Sequence, residues 1–269
     1  MTLAVGFFDG VHLGHQSILS GADRVLTFRA HPLSVLAPER APRLLMDLDA
    51  RLAAIRACGV REVVALDFTP ELAQLPPEEF LSVAGIAPGT QVRCGGNWRF
   101  GRGGEGDADW LRARGLDVAV VPSVLYRGEA VSSTRIRAAL ERGEVADANA
   151  MLGRPFSARG VPFAGKGEGS RMGFPTVNLS LESLDVRLPL GVYAVEIGGA
   201  RAAANYGLAP TFGPRAWESP VLEVHFLGTP PAAEDASVRF LRFLRPERAF
   251  GSVDELKAQI ARDSEEAAK

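Results

Sequence analysis

Cysteine is nearly absent: Cys58 and Cys94 are the only two in 269 residues. Two isolated cysteines make neither a disulfide framework nor a zinc pattern, and a reducing cytoplasmic setting is the expectation. Lysine is as scarce. Only Lys166, Lys257 and Lys269 occur, and arginine supplies 27 of the 30 cations, set against 32 carboxylates for a formal net charge of −2. That balance gives no global attraction for nucleic acid or an anionic membrane, and neither is expected as a partner. No run of about 18 apolar residues occurs, so no transmembrane helix is expected. The basic n-region and long apolar h-region of a signal peptide are missing as well. Core material is plentiful. With 46% hydrophobic and 23% charged residues, the chain reads as globular, with room for one large or two medium domains.

The first half alternates strand and helix patterns. Leu3 to Val5, Arg24 to Phe28, Glu62 to Phe68, Gln91 to Cys94 and Asp117 to Val121 read as strands. Asp47 can cap a helix carrying Leu48, Leu52 and Ile55, Pro77 opens another, and Ser133 to Arg142 reads as a third, stopped by Gly143. Such alternation predicts a Rossmann-like α/β domain, a parallel sheet with helices on both faces, over residues 1–150. From about residue 151 the character changes. Ser157 to Ala164, Val192 to Ile197, Arg201 to Tyr206, Val221 to Leu227 and Ser237 to Leu244 are short β-like runs between Gly, Pro and Asn. A small β-barrel over 151–269 is predicted, closed by a C-terminal helix with an S-x-x-E capping box at Ser252 and Glu255.

The most informative segment is G-F-F-D-G-V-H-L-G-H-Q, Gly6 to Gln16. It reads as a strand end, a glycine-rich turn (Gly6, Phe8, Asp9, Gly10, Gly14) and a helix start. Such junctions attract phosphate, and His12 and His15 stand within this one. Two ligands without a placed third make a poor zinc site, so chemistry on a nucleotide fits better. Taken alone, H-x-G-H equally suits a tight turn with two solvated histidines. Val131 to Arg137, V-S-S-T-R-I-R, places Ser133 and Thr134 at a helix start with Arg135 and Arg137 just inside. Hydroxyls, free N–H groups and guanidinium together suit a polyphosphate, although an ordinary helix cap has the same residues. In the second half, Gly165 to Leu179 reads G-K-G-E-G-S-R-M-G-F-P-T-V-N-L, a mobile glycine loop that is not a Walker A motif. In V-L-E-V-H-F-L, period-2 alternation puts Glu223 and His225 on one face and Leu222, Val224 and Phe226 on the other. Alone, the polar face reads as solvated.

Taken in order, G-F-F-D-G-V-H-L-G-H-Q, T-F-R-A-H-P (Thr27 to Pro32), N-W-R-F-G (Asn97 to Gly101), V-S-S-T-R-I-R and P-T-V-N resemble the bacterial bifunctional riboflavin kinase/FAD synthetases. M-L-G-R-P-F, G-V-Y-A, N-Y-G-L-A-P-T-F and F-L-R-P-E-R-A-F extend the resemblance along nearly the whole chain. It implies two activities with ATP, riboflavin and FMN as substrates, FAD as product and Mg²⁺ as cofactor. In the first domain His12 and His15 would stabilise charge on the transferring adenylyl group. Ser133, Thr134 and Arg137 would hold the β/γ-phosphates, Arg135 would lie beside them, and Asn97 and Arg99 would line the site. In the second, Gly165, Lys166, Gly167, Gly169, Arg171, Gly173 and Pro175 would surround the nucleotide. Thr176 and Asn178 would meet the Mg²⁺–ATP phosphates, and Glu223 would accept the proton of the riboflavin 5′-hydroxyl. A monomer or weak homo-oligomer is expected.

The sequence also departs from the family. Only seven residues, Ser17 to Asp23, separate Gln16 from the next strand, where the family runs a long helix and loop. Asn97 replaces an aspartate, Ala30 a proline, and Glu168 a basic residue. Gly228 to Ala236 lacks the family's Leu-Tyr-Gly. FAD synthesis with a weakened kinase is therefore one alternative, and a non-catalytic flavin or nucleotide sensor is a more distant one.

Overall fold

The structure is a computed structural model, and it describes residues 1–163, 176–181, 184–208, 220–226 and 236–269. The chain divides into two units, Met1–Ser133 and Thr134–Lys269.

In the first unit β1 (Thr2–Val5), β2 (Arg24–Phe28), β3 (Glu62–Leu66), β4 (Gln91–Gly95) and β5 (Asp117–Val121) form a parallel sheet in the order β3-β2-β1-β4-β5. Alternation along β1 explains why both faces are covered. Leu3 and Val5 join Val92, Cys94, Phe80 and Leu111 on one face, under α5 (Pro77–Ala84) and α6 (Ala108–Arg112). Ala4 joins Val25, Leu19 and Ile55 on the other, under α1 (Leu13–Leu19) and α3 (Leu48–Ala57). Asp47 caps α3 by accepting the Ala50 N–H at 2.8 Å. The pieces α2 (Leu33–Leu36) and α4 (Pro70–Gln74) complete the connections, and a hairpin pairs β6 (Leu125–Tyr126) with β7 (Glu129–Ala130).

Strand order reverses at β1, so the crevice beyond the carboxyl ends of β1 and β4 is the topological switch point, where ligands of open α/β sheets bind. Both the Gly6–Gln16 segment and Asn97–Gly101 follow directly from those two strands.

The second unit opens with α7 (Ser133–Glu141, from Thr134 on) and α8 (Val145–Leu152). Among the described residues a closed barrel follows, in the order β10-β11-β12-β9-β8-β13. Its strands are β8 (Phe156–Phe163), β9 (Thr176–Leu181), β10 (Gly191–Ile197), β11 (Ala200–Gly207), β12 (Val221–Phe226) and β13 (Ala236–Pro246). Asn149 ties α8 to the barrel, donating to the Phe240 carbonyl at 2.8 Å and accepting from the Phe156 N–H at 2.7 Å. Tyr193, Val195, Leu222, Val224 and Phe240 are buried in its wall. On the alternate positions Val192, Ala194 and Ala203 meet Ala267 of α9 (Val253–Ala268). Small side chains there let the helix lie close. Ser252 caps α9 through the Glu255 N–H at 3.2 Å, whereas the Glu255 carboxylate reaches one residue further back than a capping box requires, to the Gly251 N–H at 3.0 Å.

Candidate functional site

The turn after β1 is backbone-strained. Phe8, Gly10 and Val11 all have positive φ (61°, 79° and 40°). Phe8 and β-branched Val11 enter that region only when the surroundings impose it. Three anchors do so. Asp9, 4% exposed, accepts the Leu45 N–H at 2.9 Å through its carboxylate, and its backbone carbonyl accepts the Ser133 hydroxyl at 2.9 Å. Thr27 donates to the Phe7 carbonyl at 3.1 Å. The Phe8 ring is buried, and a Cβ on Gly6 would meet it at 2.9 Å.

His12 is the N-cap of α1. Its Nδ1 accepts the His15 backbone N–H at 3.3 Å, which leaves Nε2 to carry the ring proton. The His15 ring stacks on it with centroids 3.5 Å apart and 18° between planes, and it meets Phe8 edge-on at 5.3 Å. Gly14 makes this possible, since a Cβ there would approach His12 Nδ1 and Cε1 to 3.2 Å. Burial first, and then the neighbouring His12, hold the His15 pKa well below the ordinary imidazole value. Its Nδ1 is buried without a hydrogen-bond partner among the described residues. The stacked pair therefore presents a buried polar nitrogen that no described group satisfies.

The shortened first helix is accommodated. α1 has seven residues, and Arg93 of β4 donates to the carbonyls of Ser17 and Ile18 at 3.0 Å each, closing its C-terminal end. The chain then turns at once. Asp23 pairs with Thr2 through both backbone and carboxylate before β2 begins.

Thr27 to Pro32 and the first motif come together, because the His31 ring meets Phe7 edge-on at 4.7 Å. In Asn97 to Phe100 the aromatics Trp98 and Phe100 stack at 4.6 Å into the core, leaving Asn97 and Arg99 exposed at the switch point. A Cβ on Gly95 would lie 3.3 Å from the Asn97 amide oxygen and 3.6 Å from Ile18, which places Asn97 beside α1. Arg99 faces Asp107 at 3.9 Å. On α7 the Arg137 guanidinium donates to the Thr134 hydroxyl at 3.3 Å, and Arg135 lies between them in sequence.

In the second unit β9 and β12 pair in a register that sets Asn178 opposite Glu223 and Thr176 opposite His225. The Thr176 hydroxyl and His225 Nδ1 are 3.3 Å apart. The polar face of β12 is only partly solvated, with Glu223 half-buried and His225 buried. His225 is 7% exposed, and burial pushes its pKa down to about 4 despite the opposing charge of Asp263. A cavity of about 190 Å³ lies between this face and α9, with Glu223, His225 and Asn205 on one side and Leu256 and Ile260 among its apolar lining. Arg245 and Asp263 form a bidentate ion pair at its edge, with N–O distances of 2.6 to 3.1 Å. The expected loop residues Gly165, Lys166, Gly167, Gly169, Arg171, Gly173 and Pro175 lie outside the described residues.

Three features escaped the sequence reading. Strand β9 is one, since T-V-N-L-S-L carries the P-T-V-N motif and also alternates polar and apolar residues as a strand does. Arg93 gave no signal. Arg51 did, because a charged residue stands on the otherwise apolar stripe of Leu48, Leu52 and Ile55.

The comparisons with known proteins match two successive modules along the chain. A family model for FAD synthetase matches residues 1–135, and one for riboflavin kinase matches residues 152–269. The bifunctional riboflavin kinase/FMN adenylyltransferase of Bacillus subtilis is 31% identical, over 98% of this chain and 90% of that protein. The Escherichia coli K12 protein of the same name is 35% identical, over 97% and 90%. A crystal structure described as a macrolide-efflux protein from Streptococcus pneumoniae superposes with a TM-score of 0.88 at 28% identity, over 100% of this chain and 93% of that one. Among the described residues no helix is long and apolar enough to cross a membrane. With a histidine pair at the switch point of one unit, a glutamate on the helix-covered wall of the other, and near full-length relatives carrying both modules, the chain belongs to the bifunctional riboflavin kinase/FMN adenylyltransferase family.

Proposed function

We propose a division of labour in which the parallel-sheet unit makes FAD and the barrel unit makes FMN. The chain is an enzyme of flavin cofactor biosynthesis, with riboflavin, FMN and ATP as substrates and FAD as product. The stacked His12–His15 pair at the switch point carries the assignment of the first site.

In adenylyl transfer an FMN phosphate oxygen attacks the α-phosphorus of ATP. The bond from that phosphorus to the bridging oxygen breaks, and pyrophosphate leaves. No protein nucleophile is needed, so positioning and charge stabilisation supply the catalysis. His12 offers its Nε2–H, and His15 takes up charge as the phosphates arrive. Ser133, Thr134 and Arg137 hold the leaving phosphates, and Asn97 and Arg99 line the flavin and nucleotide. Modules of 1–150 and 151–269 would carry the two reactions.

In the kinase reaction Glu223 orients the riboflavin 5′-hydroxyl and accepts its proton as the oxygen attacks the γ-phosphorus and ADP leaves. The cavity under α9 offers an apolar wall for a ring system beside Glu223. Thr176 and Asn178 supply neutral oxygen donors next to that carboxylate, a set that suits Mg²⁺ held largely by substrate phosphates. Mg²⁺ would neutralise phosphate charge there. A cytoplasmic setting and a monomer or weak homo-oligomer complete the reading.

The test is product analysis of the purified protein with riboflavin, ATP and Mg²⁺. FMN followed by FAD is expected. Conversion of FMN to FAD without conversion of riboflavin would support the second reading, a weakened kinase, which the departures at 165–171 and 228–236 favour.

A further inference from the structure

Arg51 plays no part in the site described above, yet it is the largest fully buried side chain among the described residues, at 1% exposure. A guanidinium carries five N–H donors. Nη2 donates to the carbonyls of Phe28 and, at 3.1 Å, Arg29. The group lies over the Phe7 ring, 3.8 Å from its centroid. Nε and Nη1 have no hydrogen-bond partner among the described residues. Burial lowers its pKa to about 10 against the opposing influence of Asp9, so it remains a cation at neutral pH. A methionine would suit this stripe of α3 without burying charge. A cation kept there, with donors unspent, calls for a role.

Its place suggests which one. Phe7 begins the strained turn after β1, and Phe28 and Arg29 are where the chain leaves β2. Arg51 therefore joins two adjacent loops at the carboxyl edge of the sheet, on the β2 side of β1, away from β4 and Asn97. The His31 ring rests on the same Phe7. In-line displacement brings the attacking phosphate in opposite the leaving pyrophosphate. With ATP over α1 and Ser133, the β2 side is left to the acceptor.

We infer that Arg51 is a positioning residue for the flavin phosphate: it locks Phe7 to the exit of β2, and its buried charge, only partly offset by Asp9, draws and aligns the incoming dianion. The inference rests on the adenylyl-transfer reading of the Gly6–Gln16 turn. Charge is the decisive property, because a structural brace alone would not distinguish FMN from ATP.

The experiment uses full-length Arg51→Met and Arg51→Lys proteins. FAD formation is measured with FMN and ATP varied separately, and FMN formation from riboflavin in the same preparation reports folding. Arg51→Met is expected to raise the KM for FMN about tenfold while the KM for ATP stays within about twofold, and Arg51→Lys is expected to recover most of the loss by restoring the charge. A folded Arg51→Met protein with a wild-type KM for FMN overturns the inference. So does an equal loss in both variants confined to kcat. If Arg51→Met does not fold, Arg51→Gln takes its place against Arg51→Lys. His15→Ala is assayed alongside: FAD formation surviving in that variant refutes the site itself, whereas its loss beside an unchanged KM in Arg51→Met refutes the role of Arg51 alone.

Discussion

The imidazoles of His12 and His15 lie stacked with centroids 3.5 Å apart, while the His12 Nδ1 caps the helix that carries His15. Under the proposed function His12 has two duties, and they can be separated. His12→Asn keeps a side-chain acceptor at the N-cap, and it should retain folding stability while losing FAD formation. His12→Ala should lose FAD formation and also about 1 kcal/mol of stability. Denaturant melts paired with FAD assays check this, and equal stability of the two variants would refute the capping role.

Gly14 gives a cleaner separation. Alanine is the better helix former by about 1 kcal/mol, about what a weakened His12 cap would cost, so Gly14→Ala should leave stability nearly unchanged. Its methyl group nonetheless meets the His12 ring at 3.2 Å and shifts it. If His12 acts as proposed, FAD formation is expected to fall about tenfold or more, since misplacing a reacting-site group by a fraction of an ångström is costly. FMN formation should not change. A variant with full FAD synthesis would show that the ring position is unimportant.

Arg93 should matter in proportion to how short α1 is. Its two bonds to the Ser17 and Ile18 carbonyls stand in for the helix that the family usually continues. Arg93→Met keeps the stem and removes the donors. We expect a loss of about 1–2 kcal/mol and a larger proportional fall in FAD than in FMN formation. Unchanged stability would mean that α1 holds without this closure.

His15 also sets a pH dependence. Its pKa in the folded protein lies well below the ordinary imidazole value, so the unfolded chain binds more protons as pH falls below about 6.5. The stability it contributes is complete above that pH and is lost as pH falls through the folded pKa. His225, pushed down to about 4, acts with the same sign. Replacing His15 by Gln should therefore flatten, without abolishing, the decline in stability between pH 7 and 4. Parallel stability curves for variant and wild type would contradict the neutral, buried state of His15.

Much of this was legible in the sequence where local chemistry decides. Strand β2 and strand β5 fall at the expected residues, because buried β-branched runs bounded by turn signals leave little choice. Asp47, Ser252 and their helices follow for the same reason. What escaped depends on distant partners. The left-handed Phe8 and Val11 are imposed by Thr27, Leu45 and Ser133, none of them a sequence neighbour. The face holding Glu223 and His225 reads as solvated on its own strand, and only α9, about thirty residues later, turns it into a cavity wall. The candidate residues could be named from the sequence, but their burial and charge state could not.

The central claim is that two separate sites act in sequence, and a paired product analysis tests it most directly. Full-length His15→Ala and Glu223→Gln proteins are each given riboflavin, or FMN, with ATP and Mg²⁺. His15→Ala should accumulate FMN and make FAD at least about a hundredfold more slowly than wild type. Glu223→Gln should convert supplied FMN to FAD at the wild-type rate and form little FMN from riboflavin. If both folded variants lose both activities to the same degree, or if Glu223→Gln still phosphorylates riboflavin normally, the two-site account is wrong.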